Sequence, residues 1–288
     1  MMLVHNNERQ VQRLINYLSH DFDIFVHIDK KSKINILNKD NVFVYRIYKI
    51  YWGSFNQIMA TLFLLKEAYK KKYNRYLLIS GSDLPIKNNS EIKAFFNGNE
   101  YEYITGERLP IETLKGNGGL DRMLNYWPNN FSYDKSITIK VIFKLYLLMF
   151  FIFSKFNKRL LDYEFYKGAN WTNYTNNCVM KIFEFLDKDK NYIKRFKWTK
   201  CADEIFFQTI IFKLDNINTI NNSLRYVDWK TGPEKPRILR EGDYNKIIAS
   251  NALFARKFDE NIDKNIIKKI YEMIGEKNNI SKCTAGIV

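Results

Sequence analysis

The sequence predicts an α/β protein in which helices wrap a mostly parallel sheet. Through the first hundred residues, short apolar runs alternate with segments of helical period at strand–helix–strand spacing. Two acids, Asp29 and Asp83, follow such runs directly, and open parallel sheets bind ligands beyond the carboxyl ends of their strands.

Taken in order, MMLV is a short strand, and ERQVQRLINYL sets Val11, Leu14, Ile15 and Leu18 on one helical face. DIFVHID is a strand ending in Asp29, and NVFVYRI is the next. Ser54 with Gln57 forms a capping-box pattern opening a helix through about Tyr69, with Ile58, Leu62 and Leu65 on its inner face. RYLLISGSDLP runs from a strand into a Gly-Ser-Asp turn. From Gly106 to Tyr133 the pattern weakens around KGNGGL, as in a binding loop. Helices resume at 137–156, 172–187 and 203–213, LRYVDW is a strand, and a last helix covers about 262–275. Residues 276–288 read as a tail, and no repeat or linker divides the chain, so one domain is expected.

Forty-six Lys and Arg against thirty-one Asp and Glu give a formal charge of +15, which suits a polyanionic partner. Nucleic acid is disfavoured, because the cations are dispersed and no RRM, KH or helix-turn-helix signature occurs. Cys178, Cys201 and Cys283 form no CxxC pair, which argues against a disulfide framework and for a reducing compartment. The start turns polar by its fifth residue and has no signal-peptide core. LYLLMFFIF, preceded by Lys140 and Lys144, is about half the span a membrane-crossing helix needs. It is read as a buried helix, with a helix resting on a membrane surface as the second reading.

No GxxxxGK[ST], GxGxxG or GxSxG motif is present, and His5, His20 and His27 lack metal-ligand spacing. The DxD patterns at Asp21–Asp23 and Asp187–Asp189 lie away from strand carboxyl ends and read as incidental. What remains is the acid pair Asp203–Glu204 at a helix mouth in KWTKCADEIFFQTIIF, acids at strand ends, and a basic C-terminal third. Acids in a first helical turn serve the unpaired amides and the helix dipole, so capping and catalysis are both open to the pair. Arg237, Arg240, Arg256 and Lys257 are cations able to neutralise a diphosphate. Solvated surface charge is the alternative for each.

VHIDKK, WGSFNQIMATLFLLKEA, YLLISGSDLPIKNNSEI, GANWTNYTNNCVMKI, CADEIFFQTII, YVDW and LFARKFD occur in this order along nearly the whole chain. As an ordered set they resemble the core-2/I-branching glycosyltransferases. The resemblance implies a GT-A-type fold in a single domain, with a nucleotide-sugar-binding half over 1–100 and an acceptor-binding, catalytic half over 101–275. It implies inverting, metal-independent transfer from a UDP-sugar to a glycan or lipid-linked acceptor, with GlcNAc first among the sugars. Glu204 would be the general base and Asp203 the helix cap. Arg237 and Lys257, with Arg240 as the alternative match for the Arg, would hold the diphosphate. Asp29 resembles the nucleotide-side acid, Trp52 the aromatic near uracil, and Asp83 the acid facing the donor sugar. Trp229 resembles an acceptor-side platform or is a core tryptophan. Glu107 and Arg122 fall near acceptor-side positions, with Thr105 at the best-aligned place for a glutamate. The expected setting is a bacterial cytoplasm, with peripheral membrane contact through the basic surplus and the Lys140–Lys158 segment. The rival is a non-catalytic binder of anionic glycan or membrane on the same scaffold.

Overall fold

The computed structural model describes residues 1–128, 137–157, 159–233 and 236–275. The tail at 276–288 with Cys283, the end of the predicted loop at Tyr133, Lys158 and the Lys140 side chain lie outside the described residues.

The first half runs β1 (Met2–Val4), α1 (Glu8–Leu18), β2 (Ile24–Ile28), β3 (Val42–Tyr45), α2 (Phe55–Tyr69), β4 (Arg75–Leu77), β5 (Ile79–Ser80), β6 (Asp83–Pro85) and α3 (Asn89–Phe96). There follow β7 (Glu102–Tyr103), β8 (Glu107–Arg108), α4 (Lys115–Gly118), α5 (Asp121–Leu124), α6 (Ile137–Phe156), β9 (Tyr166–Lys167) and β10 (Asn173–Thr175). The remainder is α7 (Asn176–Lys188), α8 (Lys190–Arg195), a 3₁₀ turn Ala202–Glu204, α9 (Phe206–Ile211), β11 (Thr219–Ile220), β12 (Arg225–Val227), a 3₁₀ turn Glu241–Asp243, α10 (Tyr244–Ile248), β13 (Phe254–Arg256) and α11 (Lys264–Met273).

The expected α/β architecture is present. Strands pair in the order β3-β2-β1-β5, all parallel, with Met2 opposite both Val26 and Ile79. Alternate side chains serve opposite faces, as a pleated strand requires. Met2, Val4, Ile24, Val26 and Val42 join one buried cluster with α1 and α11. Leu3, Phe25 and Phe43 turn to a second cluster built on α2, α7 and α9. Residues 224–274 therefore fold back onto the first hundred.

RYLLIS splits at Leu78: β4 pairs with β10, while β5 pairs with β1. The consequence is a second, mixed sheet ordered β11-β7-β10-β4, and a third ordered β12-β13-β6. Three expectations are corrected. The segment expected as a helix over 172–187 opens with β10, because Asn173–Thr175 pairs between β4 and β7 before α7 begins. Ser54 and Gln57 form no capping box: the Ser54 hydroxyl accepts from Tyr51 N, and Gln57 reaches another element. Finally, α6 is not buried. Its bounds are those expected, but Leu145, Leu148 and Phe156 are among its many exposed apolar side chains. A long apolar run reports avoidance of water without naming what supplies the shelter.

Candidate active site

Asp29 and Trp52, both expected on the donor side, lie past the carboxyl ends of β2 and β3. Asp29 follows β2 directly, and its carboxylate accepts from Lys31 N at 3.0 Å, Ile50 N at 3.1 Å and Lys31 Nζ at 2.7 Å. Burial alone would raise this carboxyl, but the three donors outweigh it and hold it below the usual range. His5, just past β1, is lowered chiefly by burial; Asp29 opposes that shift, and Lys257 and Lys31 add to it. His5, Asp29, Lys31 and Lys257 are thus electrostatic neighbours. Lys31 Nζ also lies 4.2 Å from the Tyr51 ring, next to Trp52, which is 75% exposed.

From Trp52 the contacts lead to the acid pair. Gly53 adopts φ +65°, and its carbonyl accepts from Cys201 N at 2.9 Å. Gln57 Nε2 donates to Asp203 Oδ2 at 2.8 Å. Asp203 therefore does not cap a helix. The predicted 203–213 helix is instead a 3₁₀ turn followed by the short α9, and Asp203 points back into the protein toward α2. Burial, then the adjacent Glu204, pushes the Asp203 carboxyl up to about 7. Its Oδ1 is buried without a hydrogen-bond partner.

Glu204 is partly exposed and is held from one side only. Its Oε2 meets Arg122 Nη1 at 2.7 Å and Lys167 Nζ at 3.2 Å. Oε1 takes no hydrogen bond among the described residues. Gly168 N donates to the Glu204 carbonyl at 2.8 Å, tying the turn to the strand that carries Lys167. Thr105 lies below this segment, its hydroxyl accepting from Ala169 N at 2.7 Å. Glu107 is exposed on β8, in register with Lys167 on β9.

The remaining candidates cluster where β12 and β13 end. Arg237 Nε donates to Asp228 Oδ2 at 3.0 Å, and its Nη2 donates to Asp243. Its charge is already matched by two carboxylates. Arg240 is exposed, and neither it nor Lys257 carries an ion pair among the described residues. Trp229 is 56% exposed, which removes the core-tryptophan alternative. Asp83 is wholly buried: Ser80 Oγ donates to it at 2.6 Å, and Arg256 Nη1 lies 3.5 Å away. The Arg256 guanidinium in turn stacks 3.9 Å from the Trp171 ring. Burial lowers the nearby Arg225 to about 10, with Asp83 opposing that fall and Arg256 adding to it.

Sequence reasoning missed Lys167, Gln57 and the pairing of Arg256 with Asp83. Lys167 sits one residue before GANWTN, and no spacing rule ties it to Glu204 across 37 positions; the hydrogen bond from Gly168 N to the Glu204 carbonyl brings β9 there. Carboxylates of both DxD patterns have protein partners: Asp21 accepts from Asn89 and Lys93, Asp23 from Lys71 and Tyr73, and Asp189 caps α8. No group of three or more His, Cys, Asp or Glu suited to holding a metal occurs among the described residues. A concavity of about 1230 Å³ between α1, α11 and residues 35–39 contains none of the candidate residues.

A family model described as "Core-2/I-Branching enzyme" matches residues 1–250, which leaves β13 and Lys257 beyond the matched span. No curated protein matches the chain.

Proposed function

The chain belongs to the Core-2/I-Branching enzyme family and is a glycosyltransferase, and from that premise we propose that it moves a sugar from a UDP-sugar to a glycan hydroxyl with inversion and without a metal. GlcNAc is the sugar that the family name favours. The single observation carrying the mechanism is the anchoring of Glu204, with Oε2 on Arg122 and Lys167 and no hydrogen bond to Oε1 among the described residues.

In this reading the acceptor hydroxyl donates its proton to Glu204 Oε1 as its oxygen bonds to the anomeric carbon. The bond from that carbon to the diphosphate oxygen breaks on the opposite face, and UDP leaves with the electron pair. Arg122 and Lys167 hold the base in a fixed orientation until the proton arrives. Lys257 and Arg240 meet the charge developing on the diphosphate, and Arg237 joins by exchanging a carboxylate for phosphate oxygens. Asp29 and the exposed Trp52 take the nucleoside side, with Asp83 setting Arg256 toward the donor sugar. Trp229, Glu107 and Arg122 take the acceptor side, Trp229 offering a flat face to sugar C–H surfaces. The acceptor belongs to surface-polysaccharide or glycolipid synthesis in a bacterial cell, on the cytoplasmic face of its membrane.

The test is calorimetric titration of UDP and UDP-sugars with and without EDTA, followed by turnover of Glu204→Gln. We expect donor binding that survives EDTA, weakens in Lys257→Ala and is unchanged in Glu204→Gln. Transfer by Glu204→Gln should fall by at least about 100-fold. Donor binding lost in EDTA, or a Gln variant that transfers normally, would sink the mechanism.

A further inference from the structure

Helix α6 is pinned along one edge and bare along the other. On the inner edge Tyr126 N donates to Ser154 Oγ at 2.9 Å. Phe150 lies against Trp198 with ring centroids 5.8 Å apart, and Phe153 meets Tyr126 at 5.0 Å. Outward, Leu145, Leu148, Met149, Ile152 and Phe156 recur at three- and four-residue spacing, so they form one continuous stripe. Leu145 is 62% exposed and Phe156 84%, and Leu160 extends the patch beyond the helix end. Surfaces that face only water keep such patches small.

Charge says what covers it. The helix contains no acid. Exposed Lys144 and Lys155 lie about three turns apart and share one border of the stripe. Exposed Lys197 and Lys200 flank Trp198, the residue that meets Phe150 of α6, and Lys200 Nζ lies 4.7 Å from the Trp127 ring. An apolar stripe with a lysine border and a Trp and Tyr collar suits the headgroup boundary of an anionic bilayer. A second copy of this chain would bring lysine border against lysine border, between two molecules each carrying a formal +15. No helix among the described residues is long and apolar enough to cross a membrane, so α6 would lie on the surface.

The helix is also gripped by the segments that build the base. Arg122 lies in α5, which leads straight to Tyr126 and Trp127. Trp127 N donates to the Trp198 carbonyl at 2.7 Å, and Lys200 N to the Arg122 carbonyl at 3.4 Å, just before the Cys201–Glu204 turn. We infer that α6 seats the protein on an anionic lipid surface and holds the Arg122–Glu204 segment close to the headgroups, so that the acceptor hydroxyl is presented by a lipid-borne glycan. The acceptor clause rests on the transferase reading above; the docking clause stands on α6 alone.

The experiment is gradient flotation of the full chain with phosphatidylglycerol–phosphatidylcholine vesicles and with phosphatidylcholine alone. It is repeated with Leu148→Glu/Ile152→Glu, both solvent-facing, whose melting curve checks the fold. We expect the wild type to float with the anionic vesicles and weakly with the neutral ones, and the double variant to lose more than about tenfold in partitioning. Failure to float with anionic vesicles, flotation unchanged in the variant, or a wild-type dimer in sedimentation that the variant dissolves would each overturn the docking. UDP titration of the same samples separates the two readings. Flotation without UDP binding would remove the transferase mechanism and leave the docking; UDP binding without flotation would do the reverse. If both hold, transfer to a glycolipid in anionic vesicles should exceed transfer to the same headgroup freed from lipid, and equal rates would overturn the acceptor clause.

Discussion

Asp203 owes its raised carboxyl to two neighbours of different kinds, the surrounding apolar packing and the charge on Glu204. The folded value of about 7 lies above the ordinary 3.8, so between those pH values the folded chain holds a proton that the unfolded chain has released. Its contribution to stability is full below the lower value, falls as pH rises through the window and is gone above the upper one. The whole displacement corresponds to at most about 4 kcal/mol. His27 works in the opposite sense. Burial lowers it to about 4, so it favours the folded state increasingly as pH rises from there toward its ordinary 6.5. The readout must therefore be a difference. Denaturant unfolding of wild type and Asp203→Asn from pH 4 to 8 should show the variant gaining on the wild type as pH rises. Parallel curves would mean that Asp203 stays ionised throughout. Gly168 offers a steric counterpart at the same scale. A Cβ there would lie 1.8 Å from the Thr105 carbonyl oxygen, a backbone atom that cannot swing aside. Gly168→Ala should cost about 1–3 kcal/mol, a fall in Tm of roughly 2–10 °C, whereas Gly242→Ala, with open space at its Cβ, should melt like the wild type. Equal melting of the two variants would mean that the Thr105 segment between β7 and β8 yields.

At the scale of elements, local pattern carried the chain a long way. The Glu8–Leu18 helix, the α2 limit at Tyr69 and the α6 bounds follow from periodicity and apolar run length, because each is decided within a few turns of sequence. The two- and three-residue strands between Glu102 and Ile220 were not legible, since so few residues set no period and their pairing partners lie up to about a hundred positions away. Capping failed for a related reason. Ser54 and Gln57 have the right spacing, but Gln57 gains more by meeting the buried Asp203 than by closing a box in water. The same competition made Asp203 look like a cap. Asp29 was reached as an acid at a strand end, and Glu204, Arg122 and Lys257 through motif resemblance; in the structure Arg122 pairs with Glu204, while Asp29 and Lys257 both act on His5. The partners Lys167 and Arg256 belong to the tertiary fold and leave no local trace. The sheltered-or-bare question for α6 is of this kind too, because one stripe of leucines serves a core and a membrane surface equally well.

Across the whole molecule, the span matched to the family and the span that folds are different lengths. The match ends at residue 250, yet the cluster on one face of the parallel sheet is completed by Phe254, Phe258, Ile266, Ile267, Ile270 and Tyr271. The four buried side chains of α11 alone represent about 6–12 kcal/mol of burial, which rivals the 5–15 kcal/mol net stability of a typical domain. A chain stopped at residue 250 should therefore show no cooperative melting by circular dichroism and should be cut readily by protease. The milder Ile270→Ala should still fold, but with a loss of about 2–5 kcal/mol. Cooperative melting of the truncated chain would mean that β1, β2 and α1 close their core without α11. Donor affinity gives a second reading of the same dependence. Lys257 follows β13, whose Arg256 pairs with Val227 of β12 and with Asp83 of β6, so the cation reaches the carboxyl edge only when the C-terminal strand is docked. Under the proposed mechanism, Ile270→Ala, buried in α11, should leave UDP binding intact while folded. Loss of stability and loss of binding should then separate in that variant and coincide in the truncation.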